Sequence, residues 1–526
     1  MNRLAQHVRY ALRLLARSPG FSAVAVLTLA VGIGATTVIF TVADALLLRP
    51  LRYPRPDQLV LISAQKKASG ITQGELSWPR FEMVSRQNQS FSGVAAFTSE
   101  TFNWTGQGEP EQLTAARASW NFFPILGIAP ALGRSFTPAE DKPGGDFVVL
   151  LSNRLWRARF RSDPAAIGRH LTLDQKDYTI IGVLPPDFRF DFFPQEVDLF
   201  APRVFDLNII TPQQVQGGSG FLRFIARLRP EATVSTAQAE LDTMAAQYRQ
   251  EHPKAPDADP ALIVHAGALR DELVFNTRTA ILVLCGAVCV VLLIACGNVA
   301  SLLLSRALGR QREIAVRTAL GATQSGVVGQ LLTESLILAL AGGTAGMLLS
   351  VWGTRWIAFL AEGNLPRVRE IHADLYVGAF ALGISMLSGI LFGLAPALQA
   401  ARTDLNSALR AEGRGATAGR RRHFLRNLLV VTQITLSTVL LLGAGLLIRN
   451  FLQLRGADPG FDAHNLLTMS ISLPPARYQQ GAQMNAFFED LVRRVRAVPG
   501  VRAAAASSAL PMNPSRFSPA LPEGQP

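Results

Sequence analysis

The sequence predicts an α-helical membrane protein of about five spans that carries one large α+β domain outside the bilayer. Three observations predict it. Five apolar runs are free of charge over roughly the ~20 residues a bilayer crossing needs. Arginine gathers in alternate connections between those runs. Residues 50–278 alternate short strand-like runs with helical patterns and turn signals. Composition agrees: of 526 residues, 17% are charged and 49% hydrophobic, and mean hydropathy is +0.23. That balance lies between a soluble enzyme and a wholly embedded transporter, and it excludes a disordered or collagen-like chain.

Taken in order, residues 1–20 are a basic tail with Arg3, Arg9, Arg13 and Arg17 and no acid. Residues 21–48 are the first span, uncharged from 21 to 43. This run exceeds the ~7–15-residue apolar core of a signal peptide, and Val42-Ala43-Asp44-Ala45-Leu46 offers no clean small-x-small cleavage site. It is read as an uncleaved anchor. Residues 50–278 form the outer domain. Strands are expected at 58–63, 147–151, 178–183 and 221–228, helices at 78–87, 152–160 and 235–251, and a turn at Phe91-Ser-Gly-Val94.

That domain offers no chemistry. His170, His252 and His265 are far apart, with no His-Glu-x-x-His helix, and no Gly-x-Ser-x-Gly elbow is present. Asp141, Asp146, Asp174 and Asp177 lie near turns and read as solvated surface. Cys285, Cys289 and Cys296 share one apolar run, so the outer domain has no thiols for a disulfide framework or a thiolate metal site. No catalytic residue, metal or cofactor is expected.

Spans two to five are placed at 279–305, 327–360, 375–401 and 427–448. Loop 306–326 carries Arg306, Arg310, Arg312 and Arg317. Linker 402–426 carries Arg402, Arg410, Arg414, Arg420, Arg421, Arg422 and Arg426. Together with the N-terminal tail these belong in the cytoplasm. The mixed link 361–374 then lies outside, as do Ala115 and Asp198, and Trp352 and Trp356 sit near the outer interface. The net charge of +13 and pI near 10.4 are therefore topological rather than a nucleic-acid footprint.

Residues 305–323 read as a short amphipathic helix. Glu313 and Arg317 form an i,i+4 pair in the favoured orientation, Gly321 suits the C′ position, and Thr323 can cap the helix leading into span three. Composition alone is equally consistent with a solvated linker held near the lipid headgroups.

Here the residues carry a resemblance. Arg312-Glu-Ile-Ala-Val-Arg317-x-x-Leu320-Gly321-Ala322, followed by Gln330-Leu-Leu-x-Glu334, resembles the FtsX-like permease family, which includes MacB-type ABC exporters and lipoprotein-releasing permeases. Asn121-Phe-Phe-Pro-Ile-Leu-Gly-Ile-Ala-Pro-Ala-Leu-Gly-Arg-Ser-Phe136 and Tyr178-Thr-Ile-Ile-Gly-Val-Leu-Pro-Pro186 resemble the MacB-type periplasmic core domain. The resemblance covers nearly the whole chain. It implies an α-helical transmembrane permease with a large α+β periplasmic domain (50–278) and an FtsX-like permease domain (279–410), in the inner membrane with a cytoplasmic N-terminus. It further implies a coupling helix, with Arg310, Arg312, Glu313, Arg317, Gly321 and Glu334, that docks on the ABC ATPase. The sequence has no Gly-x-x-x-x-Gly-Lys-[Ser/Thr] loop, so the ATPase is expected on a separate chain. Membrane lipid and a periplasmic adaptor or substrate protein are the other partners implied. The alternative is an ATPase-independent anchor for an envelope-binding or sensory domain.

The closest likeness is to duplicated permeases with two halves in one chain. Basic segment, span, link and strand recur: residues 1–63 are echoed by 420–473, with a strand expected at 466–473 and a helix at 486–498. Residues 449–526 read as the start of a second periplasmic core domain. The expectation is a fragment of an eight-span chain, with residues 479–526 mobile.

Overall fold

The computed structural model describes residues 2–66, 71–105, 110–190, 192–193, 196–207, 210–309, 323–361, 367–401, 418–456, 465–469, 471, 473, 478 and 481–507. Its helices are, in chain order, α1 Asn2–Ala16, α2 Pro19–Ala43, α3 Trp78–Gln87, α4 Phe122–Leu126, α5 Asn153–Phe160, α6 Pro212–Gln216, α7 Val234–Glu251, α8 Leu269–Leu273, α9 Phe275–Gly309, α10 Gln324–Ala361, α11 Leu375–Ala401, α12 Ala418–Gly456 and α13 Gly481–Arg496. Two units emerge: residues 1–50 with 273–453, and residues 51–272 with 454–526.

In the first unit, α2, α9, α10, α11 and α12 contain the five runs long and apolar enough to cross a membrane among the described residues. α2 packs against α10 and α9, and α11 packs against α10 and α9. Glycine permits the closest of these approaches. A Cβ at Gly34 would lie 3.0 Å from the Gly346 carbonyl oxygen, and one at Gly346 would lie 2.9 Å from that of Ala30. Leu29, Ile33, Val299, Leu338 and Phe392 fill the shared core. The hydroxyls of Thr36, Thr37 and Thr41 donate to carbonyls one turn back at 2.7–2.8 Å, which satisfies them where no water is available. Residues 2–16 of the basic tail are helical: Ala11 is fully buried, and Leu15 packs on the same core.

The second unit is α+β. Its strands are β1 Leu59–Lys66, β2 Ile71–Gly74, β3 Leu76–Ser77, β4 Phe91–Thr105, β5 Glu111–Ala118, β6 Leu132–Gly133, β7 Val148–Leu151, β8 His170–Leu173, β9 Lys176–Val183, β10 Leu199–Ala201, β11 Gly220–Leu228 and β12 Ile263–Ala268. Along the sheet they run β12-β1-β11-β4-β5-β10-β7-β9-β6. Only the β5–β10 and β7–β9 pairs are parallel among the described residues. One core lies between β1, β4, β11, β12 and helices α3 and α7, around Val60, Phe81, Phe224, Leu241 and Tyr248. A second gathers β5, β7, β9 and β10 against α5, around Leu113, Val149, Tyr178 and Leu199. Ser77, Ser152 and Thr233 cap α3, α5 and α7 with their side chains.

Three expectations are corrected here, and one position placed outside proves buried. Phe91-Ser-Gly-Val94 is not a turn but the start of β4, because its residues pair with β11 through Gly93–Arg227 and Val94–Ala226. Asp141 and Asp174 are not solvated surface. Asp141 accepts the backbone N–H of Trp120 and of Arg203 at 3.0 and 2.7 Å, and burial pushes its carboxyl up despite those bonds. Asp174 is buried and accepts from the Asn103 backbone N–H and side-chain amide, at 3.1 and 2.7 Å. No strand forms among residues 465–469, 471 and 473. A strand needs a ladder, and β1, the expected counterpart, owes its ladder to β11 and β12 on either side. Finally, Ala115 is fully buried in β5, so that position cannot report exposure to either side of a membrane. Of residues 479–526, expected to be mobile, 479–480 and 508–526 lie outside the described residues.

Candidate coupling site

The coupling segment would join α9 to α10. Arg310, Arg312, Glu313, Arg317 and Gly321 all fall in residues 310–322, outside the described residues. The structure gives the two ends between which that segment runs. At the far end Thr323 opens α10: its hydroxyl accepts the Gly326 N–H at 3.3 Å, an N-cap. Glu334 lies about three turns further on, within the apolar run of α10 rather than with the segment. It is 4% exposed, and Gln330 Nε2 donates to its Oε1 at 3.1 Å. Neighbouring Ser335, Leu338 and Ala339 are equally buried, so helical periodicity turns this face into the protein. Glu334 is thus a buried acceptor behind the segment, not an exposed docking charge.

At the near end the structure gives contacts that sequence reasoning missed. Arg306, in the last turn of α9, donates from Nη2 to the Leu14 carbonyl at 3.2 Å, with its guanidinium 4.6 Å from the centre of the Phe21 ring. Ser18 Oγ donates to the same Leu14 carbonyl at 3.2 Å, and Ser22 Oγ to that of Leu15 at 2.9 Å. These donors satisfy the free carbonyls and the partial negative charge at the C-terminus of α1. At its other end α1 reaches α10, where a Cβ on Gly329 would stand 3.8 Å from His7. α1 therefore touches both helices from which the segment departs. The signal was in the sequence: Val8, Ala11 and Leu15 recur at helical spacing.

Among the described residues no group of His, Cys, Asp or Glu could hold a metal ion. What converges is packing, helix capping and arginine charge.

Comparison with known proteins gives two domain matches. A family model described as MacB-like periplasmic core domain matches residues 22–244, and one described as FtsX-like permease C-terminal matches residues 286–405. Similar curated proteins include the pyoverdine export ATP-binding/permease protein PvdT of Pseudomonas entomophila (strain L48), 25% identical over 315 residues, which are 58% of this chain and 44% of that protein. The macrolide export ATP-binding/permease protein MacB of Marinobacter nauticus is 26% identical over 294 residues, 55% of this chain and 42% of that one. The chain thus spans less than half the length of these relatives. Among solved structures, the periplasmic region of MacB from Actinobacillus actinomycetemcomitans aligns at 14% identity and a TM-score of 0.32, covering 42% of this chain and 93% of that one. The extracellular domain of the noncanonic ABC-type transporter YknZ from Gram-positive bacteria aligns at 10% identity and 0.29, covering 39% and 98%.

Proposed function

We propose, for a chain that belongs to the MacB/FtsX-like permease family, that it is the permease subunit of an ABC-type transporter. In this reading it transmits the work of ATP hydrolysis on a separate ATPase chain to its own periplasmic α+β domain. The observation that carries the reading is the joining of two modules in one chain. The α+β domain is inserted between α2 and α9, and the arginine-rich segment is inserted between α9 and α10. Helices packed through glycine connect the two insertions. The 526 residues contain no phosphate loop of the Gly-x-x-x-x-Gly-Lys-[Ser/Thr] kind, and the proposal places hydrolysis on a partner chain. The relatives' names give them export of pyoverdine or of macrolides. For this chain the reading extends to ATP-driven export or extraction.

Orientation belongs to the same proposal. The N-terminus, residues 310–322 and residues 402–417 face the cytoplasm, supported by their arginines, and the α+β domain faces the periplasm. Within the coupling segment, Arg312, Glu313 and Arg317 are the docking charges. Glu313→Lys places a like charge one turn from Arg317 and inverts the docking surface. Truncating one partner of a buried interface charge pair costs about 2–5 kcal/mol. The variant is therefore expected to insert normally in the membrane and to lose its co-purifying ATPase. Recovery of the ATPase at wild-type yield would reject docking through these residues, and a wild-type chain that functions with no nucleotide-binding partner would reject the permease reading.

A further inference from the structure

We infer that the link between α10 and α11 is a staple on both connections to the α+β domain, and that Arg49 and Arg367 are the positioning residues through which helix movement reaches that domain. The inference rests on the permease reading above. The chain leaves the helical unit at Pro50 and re-enters it at Leu273. Both points are gripped by the short stretch 367–374.

The exit is built first. α2 does not end as an ordinary helix: Asp44–Leu48 forms a π-helical turn closed by the Arg49 N–H donating to the Asp44 carbonyl at 2.8 Å. Such turns are rare and recur at functional positions. This one turns Arg49 back toward the helix ends. Its Nε donates to Asp44 Oδ2 at 2.7 Å, its Nη2 to Asp374 Oδ2 at 2.7 Å, and its Nη1 to the Glu370 carbonyl at 3.3 Å. A single guanidinium thereby joins the end of α2, the link, and Asp374. Asp374 in turn caps α11, accepting the Val377 N–H on Oδ1 at 2.9 Å.

Arg367 completes the grip from the other side. It stands in the left-handed region at φ 56 and is held by Glu370 Oε2 through Nε and Nη2, at 3.1 and 2.6 Å. Its Nη1 and Nη2 donate to the carbonyls of Arg49 and Pro50, at 3.2 and 3.3 Å. These are the last two residues before the chain leaves the unit. A side-chain ion pair alone could swivel. Bonds to two successive main-chain carbonyls hold the backbone at Arg49 and Pro50.

The re-entry is held by packing. Ile371, next to Glu370, is 6% exposed in a cluster with Val42, Ala43, Ala45 and Leu46 of the exit and Val274 and Ile281 of the re-entry. Exit and re-entry thus share one buried cluster with the link. A loose linker would dissipate a helix displacement in its own conformational freedom, whereas this stapled pair moves with α10 and α11.

The test uses the full chain with its ATPase, reconstituted in lipid, with Arg49→Gln, Arg49→Lys and Asp374→Asn. Asparagine at 374 retains the cap acceptor and removes only the charge. Two readouts are taken together: the rate of ATP hydrolysis, and the change in hydrogen exchange of residues 51–66 and 263–272 between nucleotide-free and vanadate-trapped states. The expected result is retained hydrolysis with the exchange change reduced at least about fivefold in Arg49→Gln and Asp374→Asn. Lysine carries the charge but cannot span two carboxylates and a carbonyl, so Arg49→Lys should fall between these and wild type. A purely structural role would lower assembly and hydrolysis along with the exchange change. If Arg49→Gln fails to assemble, Asp374→Asn decides. A wild-type exchange response in that variant overturns the staple alone. A wild-type complex that forms no ATPase or shows no nucleotide response overturns the permease reading, and the staple with it.

Discussion

Glu140 shows how one side chain in the α+β domain is tuned by its neighbours. Burial would raise its carboxyl pKa, but the Arg134 guanidinium and the Thr137 N–H, bonded at 3.2 and 2.8 Å to Oε2, hold it below the usual glutamate range. A depressed acid binds fewer protons folded than unfolded, so its contribution is present above the unfolded pKa and is lost as pH falls through the folded one. Glu140→Gln keeps an acceptor for Thr137 and removes that dependence. The urea midpoint should therefore separate wild type from variant at neutral pH and converge at acid pH. A gap that stays constant across the acid range would contradict this assignment. Single residues were also where sequence reading fell short. Asp141 and Asp174 lie among turn residues, where solvated carboxylates are the ordinary case. Only the fold reveals that backbone N–H groups of Trp120, Arg203 and Asn103 aim at them. Charge patterns do show which arginines lie between spans, yet nothing in the sequence pairs Arg49 with Asp374, 325 positions away.

Elements were legible where one face is buried against a regular partner. The helix at 78–87 follows from its Ser77 cap and its Phe81/Val84 face, and β7 and β9 follow from short β-branched runs. β4 was missed because Gly93, Ser99, Asn103 and the buried, Arg117-paired Glu100 dilute the alternation that marks a strand. The repeated halves also diverge as elements. Ser18-Pro19 separates α1 from α2, whereas α12 runs unbroken through residues 418–456, where no proline intervenes. Helix contact supplies the prediction at this scale. Gly346→Ala drives a Cβ into the Ala30 carbonyl, and overpacking of this kind costs roughly 1–3 kcal/mol. Gly443→Ala on α12, where a Cβ meets nothing within 4 Å, should be neutral or slightly stabilising through helix propensity. Thermal unfolding in detergent, followed by size-exclusion fluorescence, compares them directly. Equal behaviour of the two variants would mean that α2 and α10 are not packed as described.

At the scale of the whole molecule, the α+β-plus-spans architecture was legible because it rests on long-range composition, whereas the family resemblance was carried by local motifs at 121–136, 178–186 and 312–334. Apolar runs mark the candidate spans, and arginine is what the proposed sidedness rests on. The bonds made by Arg49 and Arg367 and the partners of α1 were not legible, since they depend on where helix ends meet, although the apolar face of α1 was. The proposed function requires that one chain carry a displacement from residues 310–322 on one side of a membrane to the α+β domain on the other. The decisive measurement is therefore sidedness itself. Single cysteines are introduced by Arg310→Cys and by Arg86→Cys, an exposed position on α3, with Cys285, Cys289 and Cys296 replaced. Intact cells are then treated with a membrane-impermeant maleimide. Position 86 should label in intact cells, and position 310 only after the membrane is opened; labelling of position 310 in intact cells would contradict transmission across the bilayer.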